Sequence, residues 1–588
     1  MKNSISLLFA VFFVALAHAQ SAKSLDINNV SARINPSNQQ FCNLDVSGSS
    51  SVPLEAGFEF PNQSGTYSIF SSSIWLSATF SNDNFIASGD RYGANGNDFV
   101  PGPLDHSTGN IDVSTILKFH RVWMLSKDEI EEFKLWYADT SAVPNYQPPV
   151  DLLSWPAGNM IYPAAPYVDV NQDNRYDPLN DGDYPAIRGD RAAYVILNDV
   201  GGNQMESGGN PMHMEVQCMF YAFDCPESQA MHNTIFANYR VLNYSQLDYE
   251  DFVFSLFVDF DIGCSFNDFV GTDVPRGMVY AYNGDLPDTC SNGSGYGSSP
   301  VASGAMILKG PPVAANGMDD DSLSRYGVNG IGFSDGIVDN EYFGLTNSMV
   351  FNNYGNGQTN IGVDPHHDTS YYHYCRSRWA DGTPLTYGGS GYMGSSVYCD
   401  YVFPGTSDLT HYYGTNFQVP NIAEWSEPSA GNQSFDRRAL LSSGYNTTVK
   451  NNASFEVDVA FINAIQNNGN SQHAIAKLQN YADSVKHYFL TGTTPCGTNF
   501  ISAVEEETTQ QIPEFAVFPN PAKDVLFVSL EYDSDYQIRL FNLTGELLMA
   551  KSADEKSVSL QIEHLKAGFY LLEVQTENQR LVKKVIIQ

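Results

Sequence analysis

Oxygen side chains recur at alternate positions in Asp169-Val170-Asn171-Gln172-Asp173-Asn174-Arg175-Tyr176-Asp177, filling positions 1, 3, 5 and 9 of a loop, with the Arg175 carbonyl at position 7. An EF-hand calcium loop begins this way, because a chain curled around a hard cation turns alternate side chains inward. Position 6 is Asn174 where that loop has glycine, a mild departure, since asparagine accepts positive φ better than most residues. Position 12 is Asn180 in place of a bidentate glutamate, with Asp181 and Asp183 close behind. Two readings follow: a calcium loop that pins a long connection, or a solvated Asx-rich turn that needs no ion.

A second acidic group, Asp259-Phe260-Asp261, is followed by Asp268, Asp273 and Asp285. If a strand continues through Asp259 and Asp261, they share one face. Two like charges so placed need a cation, a base or open solvent. The readings are a second calcium site, a sugar-binding edge that uses calcium, or a solvated strand end. The expected ligands are therefore Asp169, Asn171, Asp173, Arg175 and Asp177 in the loop, and Asp259, Asp261, Asp268 and Asp273 in the second group, with calcium structural rather than catalytic. Histidines offer less. His366, His367 and His373, near Asp364 and Asp368, have zinc-ligand chemistry, but their spacing fits no helix face and H-E-x-x-H is absent. His213 reads as a buried or loop residue, and no G-x-S-x-G elbow occurs. Tyr371, Tyr372, Tyr374, Trp379, Tyr387, Tyr392, Tyr398, Tyr401, Tyr412 and Tyr413 crowd one region. Such rings stack on sugars through their apolar faces, or else they pack a glycine-rich β core and its loops.

The elements that must position these residues are mostly strands. Thr234–Asn243, Asp251–Asp259, Met278–Tyr282 and Phe455–Asn463 alternate or run apolar between Gly/Asn/Asp loops. Ser126 and Glu129 form a capping box ahead of Ile130, Phe133 and Trp136 at helical spacing. Ile475, Leu478, Ala482, Val485 and Phe489 mark one face of a helix within Gln472–Leu490. Stretches 283–330 and 346–370 read as long surface loops. The expected architecture is mainly β: a large sandwich-like body of one or two subdomains with a few helices, over residues 20–500. Aromatic content of 13% with only 16% charged residues opposes disorder. Residues 1–513 carry a net −33 and 514–588 only −3, a field that repels phosphate backbones and sets nucleic acid aside.

Both ends carry targeting signals. Lys2, the apolar run Ile5–Ala17 and Ala17-His18-Ala19 make a signal peptide over residues 1–19. The run is short for a membrane span, and no other stretch approaches one. The eight cysteines then meet an oxidising compartment. Their nearest neighbours, Cys218/Cys225, Cys264/Cys290 and Cys375/Cys399, are the expected local bridges, although eight cysteines allow 105 pairings. After an acidic linker at 501–513, the module 514–588 opens on Pro519-Asn520-Pro521-Ala522-Lys523-Asp524, turns at Asn542-Leu543-Thr544-Gly545 and Gly568-Phe569-Tyr570, and finishes on Lys583-Lys584-Val585-Ile586-Ile587. Its apolar runs read as about seven strands of a small sandwich.

That order of elements resembles the type A C-terminal sorting domain of the Bacteroidota type IX secretion system. The resemblance implies Sec export followed by passage through an outer-membrane translocon, with the secretion machinery as partner. It also implies removal of the module and release or attachment to surface lipopolysaccharide. Within the body, Asp268-Phe269-Val270-Gly271-Thr272-Asp273, Arg378-Trp379-Ala380-Asp381-Gly382-Thr383-Pro384 and Asp436-Arg437-Arg438 resemble large uncharacterised secreted proteins that carry such a domain, a likeness that brings no activity with it. The expectation is a secreted or cell-surface, calcium-stabilised adhesin or glycan-binding protein. The rival is an extracellular hydrolase of polysaccharide or protein, which needs a carboxylate pair, a nucleophile with its base, or a metal site.

Overall fold

A computed structural model of the chain describes residues 22–43, 55–81, 84–92, 96–159, 162–290, 295–352 and 362–500, and, further on, 516–518, 522–529, 536–542, 547–553, 557–566, 568–576 and 580–587. The expected signal peptide and linker lie outside these residues. The chain divides into two compact units, Met1–Ala503 and Val504–Gln588.

The larger unit is built on two antiparallel sheets. An eight-stranded sheet includes Tyr67–Phe80, Glu250–Phe260, Arg437–Ser443 and, at its edge, Asn347–Asn352, in that spatial order. A nine-stranded sheet runs Asp268–Asp273, Met278–Asn283, Val301–Lys309, Ser454–Ile465, Thr234–Asn243, Met214–Ala222, Arg191–Asn198, with Val100–Pro101 and Trp123–Ser126 both paired to the last. Ile74, Leu76, Leu256 and Val258 of the first sheet share a continuous core with Val195, Phe220, Val241 and Phe461 of the second. Tyr239 and Phe254 meet across the gap with ring centroids 5.5 Å apart. The opposite face of the second sheet is also buried: Tyr194, Tyr221, Met306 and Ile462 pack with Ile475, Leu478, Ala482 and Val485 of the helix Ser471–Thr491. A strand covered on both faces has no solvent side, so every residue of Met214–Ala222 is buried, Glu215 and Gln217 included.

Local signals set the helices. Ser126 and Glu129 close the expected capping box at the head of Lys127–Ala138, satisfying two main-chain donors that a helix start leaves open. Gly492, at φ 72, ends Ser471–Thr491 in the left-handed region that a side chain disfavours. Two expectations are corrected. The stretch 283–330 contains the buried central strand Val301–Lys309, and 346–370 contains the strand Asn347–Asn352 and the start of the helix Asp368–Tyr374. Gly304 and Ser303 disguise the first as loop, yet Gly304 sits where an added Cβ would come within 2.7 Å of the Met278 sulfur.

The disulfides are Cys264–Cys290, as the spacing suggested, and Cys225–Cys496, which joins positions 271 residues apart. Cys218 therefore does not pair with Cys225. Cys375 and Cys399 are free thiols, as are Cys42 and Cys218, all four buried. Sequence proximity fails here because a β sandwich brings distant strands closer than neighbouring ones.

In the smaller unit the described strands form a three-stranded sheet (Ala516–Phe518, Val525–Ser529, Ser557–Gln561) and a four-stranded one (Leu547–Ala553, Tyr536–Asn542, Gly568–Thr576, Arg580–Ile587). Leu526, Val528 and Leu560 from the first pack with Ile538, Leu540, Leu572 and Val585 from the second. This is the expected seven-stranded sandwich.

Candidate functional site

The outer face of the eight-stranded sheet carries the charge. Register places Ser71, Ser73 and Trp75, then Phe257 and Asp259, then Arg438, then Phe351 on this one face. Asp259 pairs with Arg438 and Phe260 with Arg437. Continuing the antiparallel register one step past the strand ends brings Asp261 opposite Asp436. Asp259, Asp261 and Asp436 each offer an oxygen within 4.8 Å of the other two.

Donors are scarce around these carboxylates. Tyr92 donates its hydroxyl to Asp259 Oδ2 at 2.5 Å. Arg438 donates to Tyr92 Oη at 2.6 Å and to Asp436 Oδ1 at 2.9 Å, and lies 3.6 Å from Asp259 Oδ2 and 3.5 Å from Asp364 Oδ1. Arg91 bonds Glu206 at 2.7 Å and Asp364 at 3.0 Å. Asp259 Oδ1 is buried and accepts no hydrogen bond. Glu206, Asp364, Asp259 and Asp436 thus share two guanidinium groups, with Asp261 beside them. Burial pushes the Asp259 carboxyl up to about 7, with Arg438 pulling it back down and Asp436 adding to the rise. Burial, then Asp259 and Asp436, hold Asp261 well above the usual carboxylate range.

The other expected ligands lie elsewhere. Asp268 is fully buried and accepts from the Ile262 amide at 3.0 Å and from Asn283. Asp273, at the far end of that strand, pairs with Arg276 at 3.0 Å and with Gln479 at 2.8 Å. The loop Asp169–Asp177 accepts from its own main chain. Asp169 takes the amides of Asp173 and Asn174, Asn171 that of Asp173, Asp173 that of Arg175, and Asp177 that of Asn180. Asn174 does adopt positive φ, at 59°. Asp183 closes the loop by accepting from Val170 and Asp177, both at 2.9 Å. His366 and His367 are exposed, and His373 contacts the Ala380 carbonyl at 3.2 Å. Among the described residues none of the three belongs to a group of metal-ligating atoms. Asp436 is the residue that the sequence reading missed. Its signal was present in Asp436-Arg437-Arg438, a carboxylate at the mouth of an apolar strand.

Two of the crowded aromatic residues, Tyr371 and Tyr374, pack on this outer face against Trp75 and Phe351. Tyr371, Tyr374, Tyr387, Tyr401 and Tyr413 are buried, and Trp75 lies 4.4 Å from the Tyr371 ring and stacks on Phe257 at 5.6 Å. Beside the carboxylates these loops leave a pocket of about 360 Å³, lined by Phe351, Trp379, Tyr392, Phe403 and Phe435 and by Asn352, Asn432, Gln433, Glu427 and Arg437. Glu427 and Arg437 form a buried ion pair at 2.9 Å, and Arg437 also bonds Asn352 at 2.9 Å. Trp379 and Tyr392 meet edge to face at 6.0 Å. Aromatic rings and fixed polar groups thus line the same pocket.

Residues 516–588 match the family model described as a secretion system C-terminal sorting domain. The smaller unit is a type IX sorting domain. An ulvan lyase of Nonlabens ulvanivorans is 27% identical over 90 residues, which cover 15% of this chain and 17% of that protein. Among solved structures, a polysaccharide lyase aligns over 63% of this chain and 34% of its own, with 8% identity and a TM-score of 0.16. A biofilm-associated protein BSP domain aligns over 68% and 59%, with 9% identity and a TM-score of 0.14. At these TM-scores neither likeness bears on the body's fold or chemistry.

The sorting domain marks the chain for export to the outer surface or the medium and makes the secretion machinery one of its partners. No helix among the described residues is long and apolar enough to cross a membrane. The two disulfides suit that destination.

Proposed function

We propose that the body is a surface or extracellular carbohydrate-binding protein, an adhesin in role, which holds a sugar unit in the pocket beneath Trp379 and Tyr392. The observation that carries this is the pocket's lining, which combines five aromatic rings with three amide side chains and one ion pair. A pyranose has an apolar face that stacks on such rings and a rim of hydroxyls that seeks fixed donors and acceptors. Arg437, held by Glu427 and Asn352, pre-orders the polar part of that lining, so binding spends little on ordering side chains.

The hydrolase reading has weaker support. The pocket has one carboxylate, Glu427, and it is already engaged by Arg437, whereas hydrolysis of a glycosidic bond by the usual routes takes two. The test is a glycan array with the purified chain, followed by calorimetry on the best ligand. Tyr392→Ala and Gln433→Ala, both at the pocket's accessible edge, are each expected to weaken binding by about tenfold. An array without hits, or unchanged affinity in both variants, overturns the assignment. Release of new reducing ends from a polysaccharide favours the hydrolase.

A further inference from the structure

We propose that Asp259, Asp261 and Asp436 together hold one hard divalent cation, calcium in the test below, at the ends of two paired strands. The register creates the site: Glu250–Phe260 ends where Arg437–Ser443 begins, and the residues just past the pairing are both aspartates. One oxygen from each carboxylate lies within 4.8 Å of the other two, close enough for a single cation held at about 2.3–2.6 Å from each. An all-carboxylate set suits a hard cation such as calcium.

A second observation points to a ligand. Asp259 is 2% exposed, and its Oδ1 has no hydrogen-bond partner, whereas Oδ2 accepts from Tyr92 and lies 3.6 Å from Arg438. A buried carboxylate oxygen without a donor is costly to leave so, and a cation among three carboxylates satisfies it. Neither Asp268, turned to Ile262 and Asn283, nor Asp273, paired with Arg276, belongs to this set. Such an ion ties together strands whose ligands are far apart in sequence. It also anchors the segment that supplies Gln433, Phe435 and Arg437 to the pocket.

The test uses the full chain, stripped with EDTA and titrated calorimetrically with calcium chloride. One calcium per chain is expected to bind at this site. Asp261→Asn, which leaves the arginine contacts of Asp259 and Asp436 in place, is expected to weaken it at least tenfold, and Asp436→Asn likewise. Asp173→Asn in the exposed loop is expected to leave it unchanged. Terbium luminescence excited through tyrosine gives a second readout, since Tyr92 touches Asp259, and it should fall in Asp261→Asn. Absence of calcium binding by the wild-type chain overturns the proposal, because a shared proton then serves the cluster. Binding that survives Asp261→Asn but is lost in Asp173→Asn also overturns it. Should Asp436→Asn fail to fold, the wild-type stoichiometry and Asp261→Asn still decide.

Discussion

In the loop Asp169–Asp177, main-chain amides reach each carboxylate from two to five residues away, and most of the loop stands in solvent. At the strand ends around Asp259 the Ile262 amide goes to Asp268, and Glu206, Asp364, Asp259 and Asp436 draw on the side chains of Arg91, Arg438 and Tyr92. The loop therefore satisfies its charge locally, and the side chain of Asn180 holds Asp177 below the usual carboxylate range. The strand ends cannot do so, and burial raises Asp259 and Asp261. The lesson concerns distance along the chain. Acidic residues close together in sequence are the ones that a turn can satisfy by itself, whereas acidic residues gathered by sheet register here depend on side-chain donors.

The largest expected effect breaks the donor-poor side of this contrast. Arg438→Met removes the group that Asp259, Asp364, Asp436 and Tyr92 share and leaves several buried carboxylates facing one another. Urea unfolding in the presence of EDTA should show a loss of about 3–5 kcal/mol, the usual consequence of removing one side of a buried ion pair. Arg175→Met in the exposed loop should change stability by less than about 0.5 kcal/mol. Equal effects in the two variants would show that the two regions handle charge alike.

The same contrast decides what the sequence revealed. Elements governed by neighbours along the chain were legible: the Ser126/Glu129 capping box, the apolar face Ile475–Val485, the strand Thr234–Asn243 with its observed ends, and the small sandwich with its sorting signature. So was the positive φ of Asn174. What depended on distant partners was not. Val301–Lys309 looked like loop because its burial comes from Met278–Asn283 and Ser454–Ile465 on either side. Cys496 lies beyond any local rule for Cys225, and Asp436 becomes a neighbour of Asp261 only through strand pairing. The aromatic region was legible as to composition, and its division into buried cover and pocket wall awaited the packing on Trp75 and Phe351.

Asp199 sharpens the comparison, because it is buried like the cluster yet supplied with amides like the loop. It accepts from Met212 at 2.5 Å and Met214 at 2.8 Å, and burial still pushes it up to about 6, with Asp98 adding to the rise and His213 opposing it. Two amides are thus too few to offset full desolvation. Its folded pKa lies above its unfolded one, so the folded state binds this proton more tightly. The stabilisation is complete below about pH 4 and is lost as pH rises through about 6. Asp199→Asn removes the titration. The stability of wild type relative to this variant should fall by roughly 2–3 kcal/mol between pH 4 and pH 7, since each pKa unit is worth about 1.4 kcal/mol. Asp177, with its lowered pKa, works in the opposite direction, losing its contribution on acidification. A flat difference for Asp199→Asn would mean that its two amides suffice.

The smallest effects belong to the loop, and they are informative because they should be small. Asp173→Ala deletes one acceptor, for the Arg175 amide, in an exposed turn that Asp183 still closes. The expected cost is roughly 0.5 kcal/mol. Asn174→Gly relieves a side chain at φ 59 and should be neutral or slightly stabilising. Both melting shifts should be the same with and without EDTA if the amides alone satisfy this loop. A calcium-dependent shift abolished by Asp173→Ala would put the ion in the loop, and it would make the sequence spacing the better guide to where this protein holds a metal.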